Sequence, residues 1–408
     1  MHAIYFLEKT QRILLYLLPI SLITGSFLSD LSISLVGLSF IYITYKKKLY
    51  YYYKNLFIKL AFLWCFYLIV ISLLSSDPIL SLESSLFYFR FILLSMSVWY
   101  ILDTNKNFSK IFLNMLFITF FILIIEGYFE FIFNYNYDGE RISGLFGSNL
   151  VIGSYLSRLV PLLLALVYLH WSKSSSMVFL SLLLLLLTEV LVYLSGERTA
   201  FAFVILIAAC MIFLTNKFKL LRLVAFILTL FIITFITLSN SNVKERMINV
   251  TLDQTKILNE EKNILSVRHE SFYRTSLNIF YSKPIIGIGP KLYRNYCSDK
   301  SYTHGNACST HPHSTYMQLL AETGILGTLP LLSIFIYISY IFSKQFFYIY
   351  IKKKYLLSDY SVCLLIAVFI TVWPFAPSQN FFNNWISIIY YLPIGFILNK
   401  MYKNDRKV

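Results

Sequence analysis

Twelve runs of apolar residues, each near bilayer length, leave this chain little choice of solvent. They lie at about 12–28, 31–45, 56–74, 80–102, 111–133, 148–170, 177–194, 199–215, 220–238, 324–347, 360–376 and 385–400. A helix needs about 20 apolar residues to cross a hydrocarbon core of roughly 30 Å, since its backbone polar groups must be satisfied within the segment. Twelve crossings take up about 240 residues. The chain has 408, of which 58% are hydrophobic and only 13% charged, so an ordinary soluble domain is excluded. β-Barrel alternation is absent. The expected fold is an all-α membrane protein with about 12 transmembrane helices. No small-residue cleavage site follows the first run, which is therefore read as an anchor and not a signal peptide.

The connections sort by charge. Lys46, Lys47, Lys48, Lys54 and Lys59, then Lys106 and Lys110, then Lys173, then Lys217, Lys219 and Arg222, then Lys344, Lys352, Lys353 and Lys354 fall on alternate loops. Those loops are expected in the cytoplasm. Both termini join them, through Lys9 and Arg12 at one end and Lys400, Lys403, Arg406 and Lys407 at the other. The short opposite loops carry no Lys and only Arg141 and Arg198. The excess of 35 Lys+Arg over 20 Asp+Glu, +15 in all, thus reports basic cytoplasmic loops, and no nucleic-acid partner is expected. One connection is long: residues 239–323, about 85 residues between the ninth and tenth spans, are expected outside as a functional loop. The chain accordingly divides into transmembrane helices 1–9 over residues 1–238, the large loop over 239–323, and helices 10–12 over 324–408.

Cys65, Cys210 and Cys363 fall inside spans and read as small apolar residues. Cys297 and Cys308 both lie in the large loop. In an oxidising compartment a disulfide between them is expected, worth about 3 kcal/mol on the chain-entropy estimate. Two free thiols are the alternative; a metal pair with His304 or His311 lacks the usual spacing.

Isolated arginines are the first chemical feature. Arg90, Arg158 and Arg198 map to the outer half of the bundle or its edge, where a guanidinium costs at least about 2.5 kcal/mol unless it meets a partner or a ligand. Arg90 and Arg158 either pair with a carboxylate among Glu83, Glu126, Glu130 and Glu189, snorkel to the interface, or meet a bound anion. Arg198, in Ser195-Gly196-Glu197-Arg198-Thr199, opens the eighth span, so a guanidinium and free helix N–H groups face the same way, a pairing suited to phosphate. The second feature is Thr310-His311-Pro312-His313-Ser314-Thr315-Tyr316-Met317-Gln318, in which Thr315 and Gln318 have capping-box spacing. Two histidines before a helix start are expected to stay neutral and able to accept a proton; their other reading is as caps or hydrogen-bond partners of the loop. The third is Val267 to Arg274, a helical pattern that puts Arg268 within a turn or so of Phe272 or Tyr273, followed by a Pro/Gly turn from Pro284 to Gly289. No Walker motif, Asp-x-Asp pair or glycosidase-type carboxylate pair is present, so no cofactor or metal is called for.

These residues resemble the O-antigen ligase and polymerase superfamily of polytopic bacterial membrane proteins. The ligase motif H-[NSQ]-x9-G-x-x-[GTY] is met at every position by His313-Ser314, nine residues, and Gly324-Ile325-Leu326-Gly327. Gly196-Glu197-Arg198-Thr199-Ala200 resembles the arginine motif that ends a periplasmic loop, although Ala202 stands where R-x3-L has leucine. Arg268 with the Pro284–Gly289 turn resembles the segment before the histidine, and the likeness covers about 180–345.

The resemblance implies a GT-C-like fold with the large loop in the periplasm of a bacterial inner membrane. It also implies a metal-independent, inverting glycosyl transfer from undecaprenyl diphosphate to a lipid A-core acceptor. A polymerase extending a lipid-linked glycan is the alternative, and a lipid-linked oligosaccharide transporter the rival from another class. On this reading His313 is the base, His311 orients it or substitutes for it, and Arg198, Arg268, Arg158 and Arg90 hold the donor diphosphate.

Overall fold

The structure is a computed structural model that describes residues 2–133, 135, 141–255 and 266–405. Residues 256–265 of the large loop, and Arg406 and Lys407 of the basic C-terminal end, lie outside the described residues. Among the described residues every regular element is a helix. The first ten are α1 (His2–Ser21), α2 (Ser26–Lys46), α3 (Leu56–Leu73), α4 (Pro78–Ser85), α5 (Phe89–Thr104), α6 (Phe108–Phe133), α7 (Ile152–His170), α8 (Ser175–Leu194), α9 (Arg198–Leu214) and α10 (Lys219–Ser239). The large loop carries α11 (Ser241–Lys244), a π-helical turn (Glu245–Asn249), α12 (Val250–Thr255), α13 (Val267–Ser282) and α14 (Tyr293–Tyr296). The chain ends with α15 (Thr315–Tyr350), α16 (Asp359–Thr371) and α17 (Asn384–Asp405).

A helix lies over each apolar run. Eight stretches are long and apolar enough to cross a membrane by length and composition: α2, α3, α4 with α5, α6, α7, α8, α10 and α15. The apolar helices α9 and α16 are shorter. Helix α7 is the innermost of the long ones, with 89% of its most apolar window buried, whereas α10 has 17% and leaves leucines and phenylalanines such as Phe231 and Phe235 facing out. That inversion of the soluble pattern is what a lipid surround demands, since apolar side chains lose nothing by facing acyl chains. Helices α7 and α16, and α5 and α17, make the main internal packing pairs.

Three boundaries differ from those read in the sequence. The first break falls between Ser21 and Ser26, not after residue 28, so Asp30 sits inside α2 and meets Arg90 of α5 at 3.0 Å. Burying that ion pair within the bundle, where a solvated loop carboxylate would leave Arg90 alone, accounts for the shift. The eleventh run ends as a helix at Thr371, because Pro374 and Pro377 cannot continue one, and residues 372–383 form a polar-walled connection instead. The seventh helix begins at Ile152 and not 148; a 3-10 turn at Gly144–Phe146 precedes it.

The break inside α15 is built by backbone. Gly324 has φ 63° and ψ −168°, and a Cβ there would collide with the Ile285 carbonyl. The Pro284–Gly289 turn comes close enough to replace the hydrogen bonds that the break removes. Ile288 and Gly289 donate to the carbonyls of Ala321 (3.1 Å) and Glu322 (2.8 Å), and Ile325 donates to that of Pro284 (2.9 Å). From α3, Trp64 Nε1 donates to Gly327 O (2.9 Å) and the Tyr67 hydroxyl to Thr323 O (2.7 Å); such bonds are worth about 0.6 kcal/mol each in a bilayer. The glycines of the motif thereby fix the direction in which the short segment Thr315–Thr323 carries the histidines.

Candidate functional site

Ser314, with extended φ −151° and ψ 126°, caps α15 by accepting from Met317 N (3.5 Å). The expected Thr315 capping box does not form: Thr315 is the first helical residue and bonds Ser378 Oγ at 2.8 Å, while Gln318 reaches Glu322 (3.0 Å) and Asn380 (2.8 Å). Before the cap, Pro312 and a left-handed His313 (φ 51°) turn the chain so that His311 and His313 lie side by side, ring centroids 4.2 Å apart. The His313 carbonyl accepts from Ser378 N at 2.9 Å, locking the turn to the 372–383 connection.

A third ring joins them from α13. Ser266 caps that helix by accepting from His269 N (3.3 Å), and the same Oγ contacts His269 Nδ1 at 2.7 Å. The His269 centroid is 6.4 Å from that of His313, and the Phe272 ring is 5.0 Å from it. The disulfide Cys297–Cys308, with Cα atoms 4.9 Å apart, and the Tyr293 hydroxyl donating to Ala307 O (2.8 Å) tie down the loop that leads to the histidines.

Opposite stands a wall of arginines. Gly196 (φ 71°) turns the chain into α9, whose start has no side-chain cap among the described residues and whose first three residues, Arg198, Thr199 and Ala200, line the cavity. Arg198 Nη1 donates to Gln254 Oε1 at 2.7 Å. Arg158 of α7 is 3% exposed; it stacks on Phe203 at 5.1 Å and reaches Ser154 O at 3.4 Å. The Nε atoms of Arg158, Arg198 and Arg246 are enclosed and meet no hydrogen-bond partner among the described residues. Glu197, the carboxylate of this wall, is taken up as a cap of α7, accepting from Gly153 N (2.6 Å), Ser154 N (3.0 Å) and Ser154 Oγ (2.6 Å). Histidines, arginines and Pro377–Gln379 line one cavity of about 410 Å³.

The confinement sets the protonation. Burial chiefly pushes His311 down to about 4, helped by His313 and Arg294. His313 is lowered by burial, then by His269 and Arg268, and His269 by burial, then by Arg268 and Arg198. Three neutral imidazoles therefore face a set of permanent cations. The leading cause is desolvation, where the sequence pointed to the helix dipole and the arginines.

Of the residues singled out from sequence, His311, His313, Arg198 and Arg158 meet in this cavity. Arg268 stands beside it, exposed, with its guanidinium 5.7 Å over the Phe272 ring and close enough to bias both His269 and His313. Arg90 is elsewhere, paired with Asp30, so its partner is a carboxylate outside the four glutamates considered. Sequence reasoning missed His269, Arg246, Gln254 and the Pro377–Gln379 wall. His269 was detectable as the neighbour of Arg268 behind a Ser cap; the wall, in the short connection after the run 360–376, was hidden because its contacts are with residues far away in the chain, such as His313. Among the described residues no group of three or more His, Cys, Asp or Glu side chains is placed to hold a metal ion.

Comparison with known families adds one finding: residues 180–332 match the family described as O-antigen ligase. That span contains Arg198, Arg246, His269, His311, His313 and both glycines of the α15 break. Among curated proteins no match is found.

Proposed function

We propose, from the match of residues 180–332 to the family described as O-antigen ligase, that this chain is a multi-pass membrane glycosyltransferase of ligase type. It moves a glycan from undecaprenyl diphosphate to a lipid A-core acceptor at the periplasmic face of the inner membrane. The observation that carries this reading is the meeting, in one cavity, of neutral histidines and arginines whose Nε atoms find no acceptor among the described residues. Every residue of that cavity comes from a connection, or a helix end, on the side the basic-loop rule assigns to the periplasm. The reading keeps twelve spans, both termini in the cytoplasm, and the large loop 239–323 outside.

The chemistry runs as a single displacement. The acceptor hydroxyl oxygen attacks the anomeric carbon, the bond from that carbon to the diphosphate oxygen breaks with its electron pair leaving on phosphate, and His313 takes the hydroxyl proton. Inversion follows from attack opposite the leaving group. Arg198 and Arg158 neutralise the charge that grows on the diphosphate, which makes a metal ion unnecessary. His311, 4.2 Å from His313, orients it. Arg268 acts on the rings' charge from outside the cavity, and Arg90 holds the bundle together.

The acceptor is decided by purified protein given the lipid-linked donor and, in separate reactions, lipid A-core or a second lipid-linked repeat unit. Turnover with lipid A-core is the expected result. Turnover with the repeat unit alone assigns the chain as a polymerase, and movement of intact donor across vesicles without transfer assigns it as a transporter.

A further inference from the structure

The helical arm Ser241–Thr255, directly after α10, contributes two side chains to the cavity, Arg246 and Gln254. Eight residues apart on a regular helix, they would stand about 80° apart around the axis. The π turn Glu245–Asn249 winds fewer degrees per residue and takes up that excess, so both side chains reach the same space. Single π turns inside α-helices are frequent at functional sites. A carbon placed on Gly196 would lie 3.4 Å from Arg246 Cγ and Nε and 3.6 Å from Arg141 Nε, so two guanidinium side chains converge over one bare stretch of backbone. Arg141 Nε is engaged with Ser195 O at 3.2 Å, while the enclosed Arg246 Nε meets no acceptor among the described residues. Gln254, on the same arm, holds Arg198 Nη1. Glu197, a carboxylate lining the same cavity, is committed to the N–H groups of α7.

We propose that this arm carries the second half of a diphosphate site. One phosphate is held by Arg198 and Arg158, and the other by Arg246 beside Gly196, so the cavity reads two linked phosphates and not one. The inference rests on the donor site proposed above and adds to it a residue and a selectivity. A planar guanidinium fork grips a phosphate through two bonds, which lysine cannot reproduce.

The test is binding to the full-length protein in lipid nanodiscs, with undecaprenyl diphosphate and undecaprenyl monophosphate, both without glycan, as probes. Wild type is expected to bind the diphosphate at least tenfold more tightly. In Arg246→Ala the diphosphate affinity falls to the monophosphate level while the monophosphate affinity changes less than twofold. Arg246→Lys recovers only part of the difference, and Arg246→Gln replaces the alanine variant if that one does not fold. Arg198→Ala weakens both probes. An Arg246 variant that keeps the preference, or loses both affinities alike, overturns the inference while leaving the donor site standing. Wild type that binds neither probe, or Arg198→Ala that binds both like wild type, overturns the donor site itself.

Discussion

Arg90 on α5 and Arg158 on α7 look alike in the sequence, each a lone cation near the outer end of an apolar run. In the fold they part. Arg90 meets Asp30 of α2 at 3.0 Å, and Asp30 is also held by Asn384 Nδ2 at 3.2 Å, so three helices are tied at one polar point. Arg158, though more deeply buried, has for partners a carbonyl at 3.4 Å, the face of Phe203 and the Tyr390 hydroxyl, with the Glu197 carboxylate acting on it without an ion pair, and it lines the cavity of the histidines. A carboxylate paired directly with an intramembrane arginine makes it a structural tie; on the function proposed above, Arg158, whose nearby carboxylate Glu197 is bonded to the start of α7, is left to meet an anion. Hydropathy does not distinguish the two cases, and only the position of Asp30 does.

The largest expected contrast is in catalysis. Arg158→Ala should lower transfer by about 10²–10³-fold, the scale of losing one preorganised charge donor at the leaving group, with little change in thermal unfolding. Arg90→Ala should leave turnover per folded molecule within about twofold; an equal loss of turnover in both variants would erase the distinction. A smaller effect sharpens it from the other side. Removing Arg90 or Asp30 alone should cost about 2 kcal/mol of stability, below the figure for a fully buried pair because both side chains keep some exposure. The double variant should cost less than the two single losses combined, read as a coupling of about 1 kcal/mol in a double-mutant cycle. Purely additive losses would mean the pair contributes nothing.

The mildest effect is in pH dependence. A base must be unprotonated, and His313 lies below its ordinary value of 6.5 because it is buried beside His269 and Arg268. Transfer should therefore stay level as pH falls through 6.5 and decline only at lower pH, as the imidazole gains its proton. Arg268→Ala removes one of the lowering charges, so its acid limb should move up in pH. A wild-type acid limb centred above 6.5 would contradict the burial argument.

Much of this was legible without coordinates, for identifiable reasons. Membrane length fixes where helices can be, and the spacing from His313 to Gly324 marks a break that only a residue without Cβ can make against the Ile285 carbonyl. What stayed hidden depended on partners far away in the chain. Asp30 fell between the first two runs, with nothing local to mark it as the partner of Arg90. Pro377–Gln379 fell in a short connection between two runs with nothing local to mark it, yet Ser378 N and Phe381 N donate to the His313 carbonyl and to Gln318, making that connection the far wall of the cavity. Arg246 carried no local signal, because its placement comes from the π turn that aims it. His269 was overlooked beside Arg268, whose charge is the more conspicuous feature.

The central claim is that neutral imidazoles supplied by the large loop take the acceptor's proton in a cavity whose arginines hold the donor. It is tested most directly by reconstituting the His311→Ala, His313→Ala double variant beside wild type, with lipid-linked donor and lipid A-core, and measuring transferred glycan and bound donor in the same samples. The account predicts that transfer falls by at least about 10²-fold, as for loss of a general base, while donor binding stays within about twofold. Full turnover by the double variant would contradict it.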